Sequence, residues 1–188
     1  MPSLSLVSIP SLLGFCGVAL NFLWPLLKDR RAMLLVQAVS GSCFTAHYAL
    51  IGAQTGSLMN ALAALQALAA IPLGLRPGFR MAYLLTLPLI ATALLLSWQG
   101  WPSIFAALAM AGLSLGRYQV NVLAFRIILL ATIPCWVAHN LLVGSLPGLF
   151  SDALVSTASI IGLWQHRRRR QNALVPVHVL PQPDLDHT

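Results

Sequence analysis

The sequence predicts an all-α integral membrane protein: seven transmembrane helices arranged as two parallel three-helix repeats joined by a linker helix (3+1+3), with the N-terminus outside and the C-terminus cytoplasmic. Three observations lead there. Of 188 residues, 58% are hydrophobic and only 8% are charged, against roughly 25% charged in soluble domains. All 11 Lys and Arg residues fall in or beside alternate segments flanking the apolar runs. A 14-residue stretch, Cys43 to Gly56, recurs 92 residues later as Cys135 to Gly148 with six identities, which reads as an internal duplication.

Seven apolar runs can be placed at about 4–27, 33–53, 57–74, 81–98, 103–116, 120–143 and 149–165. Each is near the ~20 residues that cross ~30 Å of hydrocarbon, and the fifth is the shortest. Lys28, Arg30 and Arg31 follow the first run, Arg76 and Arg80 the third, and Arg167 to Arg170 the seventh, while Arg117 precedes the sixth and Arg126 enters it. The other connections carry no base, and the positive-inside rule then puts the two termini on opposite faces, which only an odd number of spans allows. The +7 net charge is accounted for by these loops. It therefore points to a lipid bilayer as partner and not to nucleic acid.

The first run has no basic residue before it and no small-x-small site after it, so it reads as a retained helix and not a cleaved signal. It ends in Trp24-Pro25 before the basic cluster, where Pro25 is either a hinge or the tolerated end of a span. The second run carries Gln37, Ser40, Gly41, Ser42, Thr45 and His47, a row of small and polar residues suited to packing among other helices. The third holds Asn60 about one turn in. The fourth is almost wholly aliphatic and has no duplicated counterpart, so it reads as the linker. The fifth has Gly112 and Gly116 in G-x-x-x-G spacing, a weak packing motif. Residues 1–166 thus form one transmembrane domain (repeat 1 about 4–74, linker 81–98, repeat 2 about 103–165), and 167–188 a basic, disordered tail. Cys16, Cys43 and Cys135 have no C-x-x-C spacing and read as buried, inert thiols.

Asp152 is the only acid inside a predicted span, and the 92-residue offset places it on Asn60. An intramembrane carboxylate is costly and usually faces a cavity. The alternatives are a cap on the seventh helix or a structural pair with His139. His139 precedes Asp152, and His47 precedes Asn60, by the same 13 residues across a short turn, which places each histidine within about two helical turns of its partner's level. Such histidines either take part in proton coupling or hydrogen-bond between helices. Arg126 either snorkels to the headgroups or meets an anionic ligand. No phosphate loop, nucleophile elbow or paired-carboxylate motif is present; the expectation is a protein that is not an enzyme and uses no cofactor or metal.

Ala138-His139-Asn140 with Gly144-Ser145 and Gly148, then Trp164 and a basic tail, together with His47, Gly52 and Asn60, resemble the YgjV-type bacterial inner-membrane proteins over nearly all of the chain up to the tail. That resemblance implies the inner membrane and carries no established activity. More distantly, the layout resembles the PQ-loop superfamily of SWEET and SemiSWEET sugar transporters and PnuC vitamin-precursor transporters. There a proline in the first helix precedes a basic turn, as Pro25 does, and an asparagine on the third helix of each repeat contacts substrate, as Asn60 would. The chain departs from that pattern at Gly116-Arg117, where the second proline is missing, at Asp152, which replaces the second asparagine, and in lacking a proline-glutamine pair.

The expected function is a carrier for a small polar or cationic solute, with proton coupling, by alternating access around a cavity lined by His47, Asn60, His139 and Asp152. The alternative is a non-transporting inner-membrane scaffold or assembly protein, in which the same polar residues only hold helices together.

Overall fold

A computed structural model describes residues 8–174 except 75 and 77. Among the described residues there are seven α-helices and no strand: α1 Ile9–Leu23, α2 Arg30–Leu50, α3 Gln54–Leu73, α4 Met81–Leu96, α5 Trp101–Tyr118, α6 Val122–Val143 and α7 Leu146–Leu174. The expected seven apolar runs and the seven helices correspond one to one, and residues 4–7 of the first run lie outside the described residues. Four of them, in α2, α3, α6 and α7, are long and apolar enough to cross a membrane; α1 and α4 are shorter apolar helices.

Local chemistry sets the boundaries. Ser8 caps α1 by accepting from the Ser11 N–H at 3.3 Å, Asp29 caps α2 by accepting from the Ala32 N–H at 2.7 Å, and Asn121 caps α6 by accepting from the Leu123 N–H at 2.8 Å. These side chains satisfy amides that the first helical turn leaves without partners. After α1 the chain tightens into a single 3-10 turn, Trp24–Leu26, which contains Pro25.

α5, expected to be the shortest span, runs over 18 residues and buries Ser103, Ala106, Ala107, Ala109, Met110, Ser114 and Gly116. Its small side chains admit neighbours closely: Thr132 lies against Gly112, and the Phe125 ring lies 3.2 Å from where a Cβ on Gly116 would stand. Both neighbours are on α6, so the G-x-x-x-G spacing serves the α5–α6 packing. α4 lies at the periphery against α5 and α3, with Ile90 its one buried residue.

α7 begins at Leu146, three residues before the expected start, and continues through the four arginines to Leu174. The expected disordered tail thus opens with helix, and residues 175–188 lie outside the described residues. Cys16, expected to be buried, is exposed on α1, and Cys43 and Cys135 are half-buried; all three are free thiols.

Helix neighbours recur at the 92-residue offset. α1 packs on α2 as α5 packs on α6, α2 on α3 as α6 on α7, and α1 on α7 as α5 on α3.

A cavity between equivalent helices

The two hairpin turns, between α2 and α3 and between α6 and α7, are built alike. Gly52 (φ 82°) and Gly144 (φ 71°) both turn the chain through the left-handed region, which costs glycine little. The Ala53 N–H donates to the Tyr48 carbonyl at 2.8 Å, and the Ser145 N–H to the Asn140 carbonyl at 2.9 Å. One turn on, the Ser57 N–H donates to the Ala53 carbonyl at 3.0 Å and the Leu149 N–H to the Ser145 carbonyl at 3.1 Å.

Each turn positions a buried histidine. His47 Nδ1 lies 2.7 Å from the Pro10 carbonyl and His139 Nδ1 lies 2.9 Å from the Pro102 carbonyl. A carbonyl only accepts, so each Nδ1 carries the proton, and in the neutral ring Nε2 is an acceptor. The Ser145 hydroxyl, 2.8 Å away, donates to His47 Nε2, and its oxygen accepts from the Gly148 N–H at 3.1 Å, capping α7. At the equivalent place in the first hairpin stands Ala53, which has no hydroxyl. His139 Nε2 is accordingly a buried acceptor without a hydrogen-bond partner.

A polar chain crosses between the two halves. The Tyr48 hydroxyl donates to Asn140 Oδ1 at 2.6 Å, and Asn140 Nδ2 donates to Asp152 Oδ2 at 2.8 Å. Tyr48 and Asn140 are themselves 92 residues apart, so equivalent positions touch each other there. Beside them, six helices line a partly open cavity of about 230 Å³. Sixteen of its 21 lining residues form eight pairs at the same offset, among them Ser40 with Thr132, Phe44 with Trp136, Tyr48 with Asn140 and Asn60 with Asp152. α4 contributes none.

A family model of bacterial inner membrane proteins, Imp-YgjV, matches residues 8–170. The chain belongs to this family. No curated protein and no solved structure matches it.

In this Imp-YgjV protein the four residues singled out from sequence separate into two sets. Asn60 and Asp152 line the cavity, whereas His47 and His139 do not. The histidines are 2% and 1% exposed and hold α2 to α1 and α6 to α5. The expectation that the two histidines line the cavity together with Asn60 and Asp152 is therefore corrected. Asn60 Nδ2 donates to the Gly56 carbonyl of its own helix at 2.9 Å. Asp152 is bonded to Asn140 and not to His139. Because α7 starts at Leu146, Asp152 stands in the second turn, and the cap belongs to Ser145.

Sequence reasoning gave no site role to Tyr48, Asn140 or Arg117. The first two were findable, since they occupy matching positions beside the matched histidines. Arg117 was assigned to a loop on the strength of its charge, yet it closes the last turn of α5 and lines the cavity. Arg126 stands in α6 as expected, and its guanidinium lies across Gly162 of α7, where a missing Cβ leaves room.

Proposed function

We propose that this protein is a carrier for a small polar solute, in which two parallel three-helix units, α1–α3 and α5–α7, rock against each other about the shared cavity. The observation that carries the reading is the pairing of the cavity's wall: residues at one offset line it together, as expected where two equivalent units meet. Within that wall Asn60 and Asp152 are the pair in which a neutral residue in one half stands against an acid in the other, and they would contact the solute. Tyr48 and Asn140 hold Asp152 in place. The 3-10 turn at Pro25, whose equivalent in the second unit is Arg117, would serve as the hinge between α1 and the basic turn before α2. Proton coupling would use Asp152, the one carboxylate in the wall.

The test needs no known substrate. In a variant stripped of Cys16, Cys43 and Cys135, single cysteines at 60 and at 152 are exposed to a membrane-impermeant maleimide from either side of oriented vesicles. A carrier labels both positions from both sides. A non-transporting scaffold, with its polar residues serving only as helix contacts, labels from neither side, and a one-sided result marks a static pocket.

A further inference from the structure

The cavity wall carries one acid and one base, and neither has a countercharge. Asp152 receives its hydrogen bond from neutral Asn140 on Oδ2, and no described residue donates to Oδ1. Arg117 donates to two neutral oxygens, Gln66 Oε1 at 2.5 Å and the Ala63 carbonyl at 3.4 Å. Both bonds leave from Nη1, so the guanidinium, with five N–H donors in all, keeps three on Nη2 and Nε. Gln66 is held in turn: its Nε2 donates to Thr86 and to Ser114, each at 2.9 Å. The arginine head is thus anchored on one nitrogen, and its other nitrogens donate to no described residue. No ion pair joins any acid and base among the described residues.

The two charges stand at different depths. Arg117 is bonded at Ala63 and Gln66 on α3, three and six residues beyond Asn60, and Asn60 is the equivalent of Asp152. At 1.5 Å rise per residue the charges are separated by about 5–9 Å along the helix axis. With a charge-assisted hydrogen bond of ~2.8 Å at each end, the upper end of that range leaves about 3 Å along the axis between the charges within the ligand. Isolated charges held in a low-dielectric wall are costly, and a ligand that pairs with both offsets that cost.

We infer that the solute bound in this cavity is a small zwitterion, its ammonium at Asp152 and its acidic group at Arg117, with an amino acid as the fitting size. The inference rests on the carrier reading of the same cavity. A plain cation would lack a partner for Arg117 and be repelled by it, and a plain anion would be repelled by Asp152. Across about 8 Å at an effective dielectric near 20, each repulsion is worth on the order of thirtyfold in affinity. The same wall carries Phe44, Phe125 and Trp136, which suit an apolar side chain on the ligand.

The test is a thermal-shift titration of the full-length protein in detergent with four probe classes: the free amino acids, their amides as cations, their N-acetyl derivatives as anions, and neutral sugars. Ligands that bind the native state raise the transition temperature. At least one amino acid stabilises the wild type, while its amide and N-acetyl forms bind more than tenfold more weakly. Arg117→Gln removes the preference for the acid over the amide, and Asp152→Asn removes the preference for the free amine over the N-acetyl form. Arg117→Lys keeps the charge, retains weakened amino-acid binding, and replaces the glutamine variant if that one does not fold. Amides or sugars stabilising the wild type as well as amino acids do, with Arg117→Gln unchanged, overturn the zwitterion and leave the cavity as a binding site. No stabilisation by any class overturns both readings.

Discussion

Ala53 stands where a serine would complete the first hairpin as Ser145 completes the second. Ala53 begins α3 without a side-chain cap, and the unpartnered His139 Nε2 lies directly over that first turn, 2.5 Å from where a Cβ on Gly56 would be. In Ala53→Ser the new hydroxyl should accept from the Gly56 N–H, as Ser145 does from the Gly148 N–H, and donate to His139 Nε2, as Ser145 does to His47. An N-cap serine is worth ~1 kcal/mol over alanine, and a net buried hydrogen bond about another 1 kcal/mol. The expected gain is therefore about 2 kcal/mol, or roughly 4–8 °C for a chain of this length. Space is adequate by analogy, since Ser145 is itself 1% exposed and Ala53 4%. The assay is thermal unfolding in detergent, followed by tryptophan fluorescence. In a His139→Ala background the same substitution should keep only the ~1 kcal/mol of the cap, so the double-mutant cycle isolates the histidine bond. A destabilised Ala53→Ser, or a gain identical in both backgrounds, refutes the equivalence of the two turns at the histidine.

Other substitutions probe the same frame. Gly56→Ala should cost about 1–3 kcal/mol by overpacking, because its Cβ would meet His139 at 2.5 Å and the Tyr48 ring at 3.3 Å; an unchanged melting temperature would show that the ring can move aside. Tyr48→Phe should lower stability by about 1–3 kcal/mol, measured in the same melt, since it leaves the buried Asn140 Oδ1 without its donor. Gly52→Ala and Gly144→Ala meet no atom within 4 Å, so each should cost only the ~1–2 kcal/mol of a left-handed backbone, and equal losses are expected from the two equivalent turns. Asp152→Asn places at 152 the residue found at position 60 and should leave the stability read from the same melt within about 1 kcal/mol of wild type, with circular dichroism unchanged.

The membrane class, the seven helices and the 92-residue correspondence were all legible in the chain itself, because they depend on quantities that are local in sequence. Apolar run length, the placement of bases and the repetition of Cys, His and Gly each survive without knowledge of neighbours. The pairing of Asn60 with Asp152 followed from the offset alone. What the offset could not supply was direction. His47 and His139 turn toward the Pro10 and Pro102 carbonyls because those carbonyls, on helices distant in sequence, accept the Nδ1 proton. Asp152 turns to Asn140 because α7 starts early enough to carry the carboxylate past the cap. Arg117 is drawn into the wall by Gln66, which Thr86 and Ser114 hold from two other helices. A side chain in the hydrocarbon takes whichever partner three-dimensional packing brings within hydrogen-bond reach, and no spacing along one strand of sequence encodes that choice. The sequence by itself thus determined which positions correspond; only the tertiary structure decided which of them face the cavity and which hold the helices around it.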